Sequence, residues 1–289
     1  MTTLAELMRA SGIASIDARV LLRAALAVND AYLVAHANDE CPAQHAAQFH
    51  AAAARRAAGE PVAYIVGERE FYGRTFAVSP AVLIPRPETE LLVDLALERL
   101  PRDEARRVLD LGTGSGCIAI SIALERAAAR VTATDFSDAA LQIARKNAQY
   151  LGASNVEFKS GNWFGAIRNE SDEKFDLIVS NSPYVAEGDA HLAQGDLRFE
   201  PMAALAAGAD GLDCIRVIVA GAHANLAPGG ALLLEHGYDQ AERCRALFAT
   251  AGFVQVQSWC DIAGIERVTG GRNRTGIVAK SDAGMTRAG

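Results

Sequence analysis

From residue 107 onward, apolar runs of strand length alternate with helical patterns, and no other feature restricts the fold of this chain as much. "RVLDL" is followed by "CIAISIALERA", and "RVTATD" by "SDAALQIARKNAQYLG", which ends at Gly152. "NVEFK" and "FDLIVS" precede a helix carrying Ile215, Ile218, Val219 and Ala222. The turn "APGG", the strand "ALLLEHG", another helix and "FVQVQSWC" complete the series. Parallel strands need long crossover connections, and helices supply them, so the alternation predicts a doubly wound α/β domain with a mostly parallel sheet covered on both faces.

The upstream third reads differently. As far as about Ala58 it is alanine-rich with helical spacing, as at Ile16, Val20, Leu21, Ala24 and Ala25, which predicts a small helical bundle. "AYIVGEREFYGRTFAVSPAVLIPRPETE" then turns to aromatic and β-branched residues around Gly73, the pattern of a hairpin. "PETE" opens a helix with proline and acids in its first turn, and Leu91, Leu92, Leu95 and Ala96 share one face. The expected organisation is a helical N-terminal domain over 1–75, a hairpin linker with a first helix over 76–100, the α/β domain over 101–280 and a loose tail over 281–289.

The 28 basic and 35 acidic side chains leave a formal charge of −7, which argues against holding nucleic acid by phosphate neutralisation. Five scattered cysteines with no CxxC pair suggest neither disulfides nor zinc. The N-terminus has no leader pattern and no apolar run approaches the ~20 residues that span a bilayer, so a cytoplasmic chain with no membrane segment is expected.

In "DLGTGSG" a strand ends at Leu111 and a helix is predicted to start near Ser115, so Gly112, Gly114 and Gly116 form a turn at the carboxyl end of the sheet. Glycine lets a ligand approach the backbone there. The spacing is GxGxG rather than the GxGxxG that seats a pyrophosphate. The next strand ends at Asp135, 25 residues after Asp110, where a carboxylate can accept hydrogen bonds from both ribose hydroxyls. A glycine turn, a ribose acid and no phosphate ligand together point to S-adenosylmethionine. The competing structural role for Asp135 is a helix N-cap, which Ser137 could fill equally well.

"NSPY", residues 181 to 184, follows the fourth strand and should lie beside the same crevice. An amide or aromatic NH₂ is a poor nucleophile because its lone pair is delocalised, so a site that methylates it must hold it by its hydrogens. Asn181 can offer its side-chain carbonyl and Ser182 its backbone carbonyl, while Tyr184 can pack against a planar group.

These residues, with "LIPRPETE", "LDLGTGSG", "NWF" (162–164), "QGDLRFEP" (194–201), "LLLEHG" and "ERVTGGR", make the chain resemble the HemK/PrmC family along nearly its whole length. These are protein-glutamine N5-methyltransferases that modify class-one peptide-chain release factors. The resemblance implies a class I methyltransferase fold with seven strands. It implies cofactor contacts from Gly112, Thr113, Gly114, Ser115, Gly116, Asp135, Trp163 and Asn181. It further implies that Asn181, Ser182, Pro183 and Tyr184 grip the glutamine of the release factor's Gly-Gly-Gln loop, with Asn181, Pro183 and Tyr184 carrying catalysis. A monomer that docks its substrate through the helical domain, with no stable nucleic-acid partner and no metal, is expected. Two positions depart from the family pattern. Ser182 stands where the usual tetrapeptide has its first proline, which predicts a looser acceptor loop, and Asn162 stands where many relatives have Asp.

Other candidates are Arg86 and Glu88, which could line the cofactor or loop entrance or simply start a helix, an ion pair between Arg198 and Glu200, and His236, for which packing at a strand end outweighs a general-base role. Three rival functions remain at this level. A nucleic-acid amino methyltransferase would need a recognition domain or basic channel, an NAD-dependent oxidoreductase would need different glycine spacing, and a non-catalytic relative has only Ser182 to suggest it.

Overall fold

A computed structural model describes residues 2–167 and 174–274. The expected tail at 281–289 and the last residues of the expected 101–280 domain lie outside the described residues. Five helices form the N-terminal unit: α1 (Leu4–Ala10), α2 (Ser15–Leu26), α3 (Asp30–Ala35), α4 (Ala43–Ala57) and α5 (Val62–Val66). Thr3 and Glu6 close a capping box at the start of α1. The core of the unit is Leu4, Leu7, Ala18, Leu21, Leu22, Leu33, Phe49 and Ala53. Its face on α2 is therefore the 18, 21, 22, 25 stripe, and Ile16 stands outside it at 71% exposure. Ala63 to Val66, expected to belong to the hairpin segment, are helical instead. Pro61 begins the turn and Gly67, in the left-handed conformation, ends it.

The hairpin pairs β1 (Glu68–Phe71) with β2 (Arg74–Ala77) through Tyr72 and Gly73, both at positive φ, the geometry of a two-residue type I′ turn. The expected boundary at 75 thus falls inside β2. After a 3₁₀ turn at Pro87–Thr89, α6 (Glu90–Arg99) leads into the sheet.

The remaining elements are β3 (Arg107–Leu111), α7 (Cys117–Glu125), β4 (Arg130–Asp135), α8 (Asp138–Leu151), β5 (Val156–Ser160), β6 (Phe175–Ser180), α9 (Asp213–Ala222), β7 (Leu226–Glu235), α10 (Ala241–Thr250), β8 (Val254–Cys260) and β9 (Glu266–Arg272). The strand order is β5-β4-β3-β6-β7-β9-β8, with β9 antiparallel to both its neighbours and the other pairs parallel. Residues of alternating parity cover the two faces. Val108, Leu177 and Leu233 pack under α6 and α7, whereas Leu109, Ile178 and Leu232 pack under α9 and α10.

The chain runs outward from β3 to β5 and then returns to lay β6 on the other side of β3. Connections leave these two strands in opposite directions, which opens a crevice at their carboxyl ends. The residues after Leu111 and after Ser180 meet there. Asn147 of α8 ties the hairpin to this region: its Oδ1 accepts from Ala77 N at 2.8 Å, and its Nδ2 donates to Ala77 O and, at 2.9 Å, to Ser115 O. The helical unit is clasped to the α/β domain by Arg56, which donates to Asp17 at 2.7 Å and to Asp196 at 2.8 Å, and by Arg198, which donates to Ala58 O at 2.9 Å.

Candidate active site

The crevice is a cavity of about 680 Å³, within the range of small-molecule sites. Its walls come from the segment 81–89, the glycine turn, the tip of β4, residues 161–163, Asn181, Pro183 and the stretch around Pro201. Gly112, Thr113, Gly114, Ser115, Asp135, Trp163, Asn181 and Pro183 are brought together on this surface. Gly116, Ser182 and Tyr184 are not part of it.

The turn from β3 to α7 is held by Thr134 O, which accepts from Gly112 N and Thr113 N at 2.9 Å each. Helix α7 begins at Cys117, two residues later than expected. Gly112 has φ +73°, and a Cβ there would come 3.5 Å from the Trp163 ring, filling the gap between turn and indole. A Cβ on Gly116 would instead press on Ile120 at 2.8 Å and Ala144 at 3.2 Å, so this glycine serves close packing of α7 against α8.

Asp135 accepts Gly114 N on Oδ2 and Ser137 N on Oδ1, each at 2.9 Å. It does not cap α8, because Ser137 Oγ accepts from Ala140 N in that role. Each carboxylate oxygen keeps a lone pair to spare, and burial raises the pKa of the group. These acceptors, with the indole of Trp163 over Gly112, fit a nucleoside bearing vicinal hydroxyls.

Beneath the turn Asp110 is fully buried. Oδ2 accepts from Thr113 Oγ1 at 2.7 Å, Oδ1 has no hydrogen-bond partner, and burial pushes the carboxyl up to about 7. Folding therefore holds this proton to higher pH than the unfolded chain does, whose value is near 3.8. Stability that is complete below pH ~4 falls as the pH rises towards 7. Asp110→Asn should remove that slope, so that its stability relative to wild type improves between pH 4 and 8 by up to about 4 kcal/mol. Denaturation series at both pH values check this, and parallel curves for the two proteins would refute it.

Asn181 extends from β6 into the crevice, and its Nδ2 donates to Thr89 Oγ1 at 3.1 Å. Tyr184 turns away from the cavity into the core beneath α9 and α10, and its hydroxyl lies 3.4 Å from Glu235 Oε1. Its own carbonyl accepts from Gln240 Nε2 at 2.9 Å, so the end of the tetrapeptide is pinned from behind. The expected packing of Tyr184 on a planar substrate group is thus not formed in this geometry, because burial against the core holds the ring elsewhere. Glu235 is fully buried and pushed up to about 7 by that burial.

Arg86 lines the cavity and is paired with Glu200, whose other oxygen accepts from Ile84 N at 3.0 Å. The pair expected between Arg198 and Glu200 is absent, since Arg198 reaches Ala58 O instead. His236 is buried: Nδ1 donates to Gly237 O at 2.9 Å, and Nε2 accepts from Thr269 Oγ1 at 2.8 Å. A carbonyl can only accept, which fixes the tautomer and leaves no ring nitrogen free for proton transfer.

A model of the PrmC N-terminal domain matches residues 2–67, and a model of a methyltransferase domain matches residues 102–273. The chain is 52% identical to a release factor glutamine methyltransferase of Bordetella pertussis, over 94% of this chain and 99% of that one. It is also 52% identical to the protein of the same name from Burkholderia pseudomallei, over 93% and 96%. The chain belongs to the release factor glutamine methyltransferase family. Among solved structures, a T. thermophilus 16S rRNA N2 G1207 methyltransferase in complex with AdoMet and guanosine superposes with TM-score 0.54 at 22% identity, covering 72% of this chain and 50% of that one, a likeness of fold.

The two departures from the family pattern take different places in the chain. Asn162 is exposed on the cavity wall. Ser182 is 2% exposed, and its hydroxyl is buried with no hydrogen-bond partner. A buried unpaired hydroxyl is destabilising, and proline narrows the unfolded ensemble. Ser182→Pro should therefore raise unfolding stability by about 1 kcal/mol, and a denaturation midpoint at or below the wild-type value would refute this. Several wall residues carry no sequence signal that singled them out. Thr89 is buried inside a helix start, and Phe136, 62% exposed beside Asp135, is an aromatic next to an acid at a strand tip, a pattern that could have been found.

Proposed function

We propose that this protein transfers a methyl group from S-adenosylmethionine to the side-chain amide nitrogen of the glutamine in the Gly-Gly-Gln motif of class-one release factors. The observation that carries this reading is Asn181 in the crevice wall beside the glycine turn and Asp135, with its NH₂ already tied to Thr89. Family membership over nearly the whole chain supports it.

Asp135 and the backbone from Gly112 to Ser115 would hold the nucleoside part of the cofactor, with Trp163 against its base. The bound cofactor supplies a methyl carbon activated by a sulfonium centre. Asn181 Oδ1 and the Ser182 carbonyl accept the two hydrogens of the substrate amide and so aim its nitrogen lone pair. As that nitrogen develops positive charge, the two fixed dipoles stabilise it without reorganisation. Tyr184 and Pro183 brace these acceptors from behind and beside.

In this reading the helical unit within 1–75 docks the release factor, the protein works as a monomer in the cytoplasm, and nucleic acid is no stable partner. No helix among the described residues is long and apolar enough to cross a membrane. The test is peptide mapping by mass spectrometry after incubating unmodified release factor with the protein and S-adenosylmethionine. One added methyl on the Gly-Gly-Gln glutamine is expected. An unmodified glutamine, with DNA or RNA methylated instead, would overturn the assignment.

A further inference from the structure

We propose that Thr89, backed by the buried carboxylate of Glu235, sets the rotation of the Asn181 side-chain amide and keeps its Oδ1 free for the substrate. This rests on the function proposed above and assigns two positioning residues to the same site.

The two ends of a carboxamide have nearly the same shape and opposite hydrogen-bonding character. Gripping a substrate NH₂ requires the oxygen of Asn181 to face it, because a rotation of 180° would set NH₂ against NH₂. The side chain therefore needs a neighbour that selects one rotation. That neighbour is Thr89, 1% exposed, whose Oγ1 accepts from Asn181 Nδ2 at 3.1 Å.

A threonine hydroxyl alone does not discriminate, since it can also donate. Its single hydrogen must be directed elsewhere for its oxygen to remain the acceptor. Glu235 provides the alternative acceptor. It is 2% exposed, its Oε2 has no hydrogen-bond partner, and of its neighbours the Thr89 hydroxyl favours the charged form most. Arg267, Glu88 and Tyr184 also face it. With no other donor on it, the buried Oε2 accepts the Thr89 hydrogen and leaves the hydroxyl oxygen for Asn181 Nδ2. Tyr184 Oη lies 3.4 Å from the other carboxylate oxygen. One buried acid thus fastens both ends of the tetrapeptide, Asn181 through Thr89 and Tyr184 directly. The acid comes from the end of β7 and the hydroxyl from the start of α6, so neither needs the substrate in place to be set.

The experiment uses the full chain and two readouts. Single-turnover methylation of unmodified release factor should slow ~10–100-fold in Thr89→Val, with S-adenosylmethionine affinity within about threefold of wild type. Thr89→Ser, which restores the hydroxyl, should recover most of the rate. Glu235→Gln keeps the shape but can also donate, and it should slow the step ~3–10-fold. Independently, the Asn181 carboxamide protons, assigned in ¹⁵N-labelled protein by their disappearance in Asn181→Ala, should shift and exchange with water at least ~10-fold faster in Thr89→Val, and return in Thr89→Ser. Unchanged carboxamide signals in Thr89→Val would overturn the positioning role whatever the activity. Equal losses in Thr89→Val and Thr89→Ser would also overturn it, since they identify packing rather than the hydroxyl. Should Thr89→Val fail to fold, the Glu235→Gln carboxamide signals decide, and wild-type values there refute the proposal. A wild-type protein that leaves the release factor unmodified would refute the proposed function, while the carboxamide signals would still judge the positioning role.

Discussion

Asn181→Ala should lower the rate of glutamine methylation ~100–1000-fold while leaving the protein folded. The side chain has one structural hydrogen bond, from Nδ2 to Thr89 Oγ1, and is only half-buried, so truncation costs little stability. In the proposed function its carbonyl is the acceptor that holds one hydrogen of the substrate amide. Removing one preoriented dipole from a transition state costs about 2.7–4 kcal/mol in comparable sites, which corresponds to that loss of rate. Initial rates by mass spectrometry, with a thermal melt as the fold control, check it. A rate within fivefold of wild type and an unchanged melt would remove Asn181 from the grip on the substrate and leave the Ser182 carbonyl as its main contributor.

Much of the fold was legible because two periodicities are strong in this chain. The strand at "VLDL" and the stripe of α8 both have one register that buries their apolar residues, and the glycines at 112, 114 and 116 allow little besides a turn. The α/β alternation, the hairpin at Gly73 and the end of α8 at Gly152 follow from such local chemistry. Ala63 to Val66 read as extended because aromatic and β-branched residues favour strands, whereas Pro61 and Gly67 enclose one helical turn. Alanine is equally at home in a core and on a surface, so the helical spacing of α2 leaves its buried stripe open until the packing partners α1, α4 and α5 decide it.

The site was legible where one residue type has few uses, and obscure where the role depends on distant partners. Asp135 at a strand tip and Asn181 after a buried strand could be placed from their neighbours in sequence. Thr89, Glu200 and Glu235 could not. Thr89 meets Asn181 across 92 positions, Glu200 meets Ile84 across 116, and Tyr184 meets Glu235 across 51. Such contacts exist only once the sheet has formed, as when β7 lies beside β6 and brings Glu235 to Tyr184. Spacing also treated the three glycines alike, although Gly112 faces the indole and Gly116 faces Ala144. The distinction depends on which way each Cα bond points, and that is a property of the folded turn.

Asp135→Asn should weaken S-adenosylmethionine binding by about 100-fold or more, although the two side chains are nearly the same size. Both carboxylate oxygens are already committed to backbone donors, Oδ2 to Gly114 N and Oδ1 to Ser137 N. An asparagine can satisfy one of these. Its NH₂ must then face the other N–H, donor to donor, which costs about 1–3 kcal/mol and displaces either the glycine turn or the start of α8. In the proposed function Asp135 also makes charge-assisted bonds to the ribose hydroxyls, and the substitution weakens these at the same time. In that reading the two losses act on the same ligand, because the turn and the acid line adjacent parts of one cavity, so affinity should fall by more than the protein's own stability does. Calorimetric titration of wild type and variant with S-adenosylmethionine, beside denaturation curves of both, separates the two effects. Affinity within threefold of wild type would show that the carboxylate serves only to brace Gly114 and Ser137, and the ribose would then have to be held by other groups along the 81–89 wall.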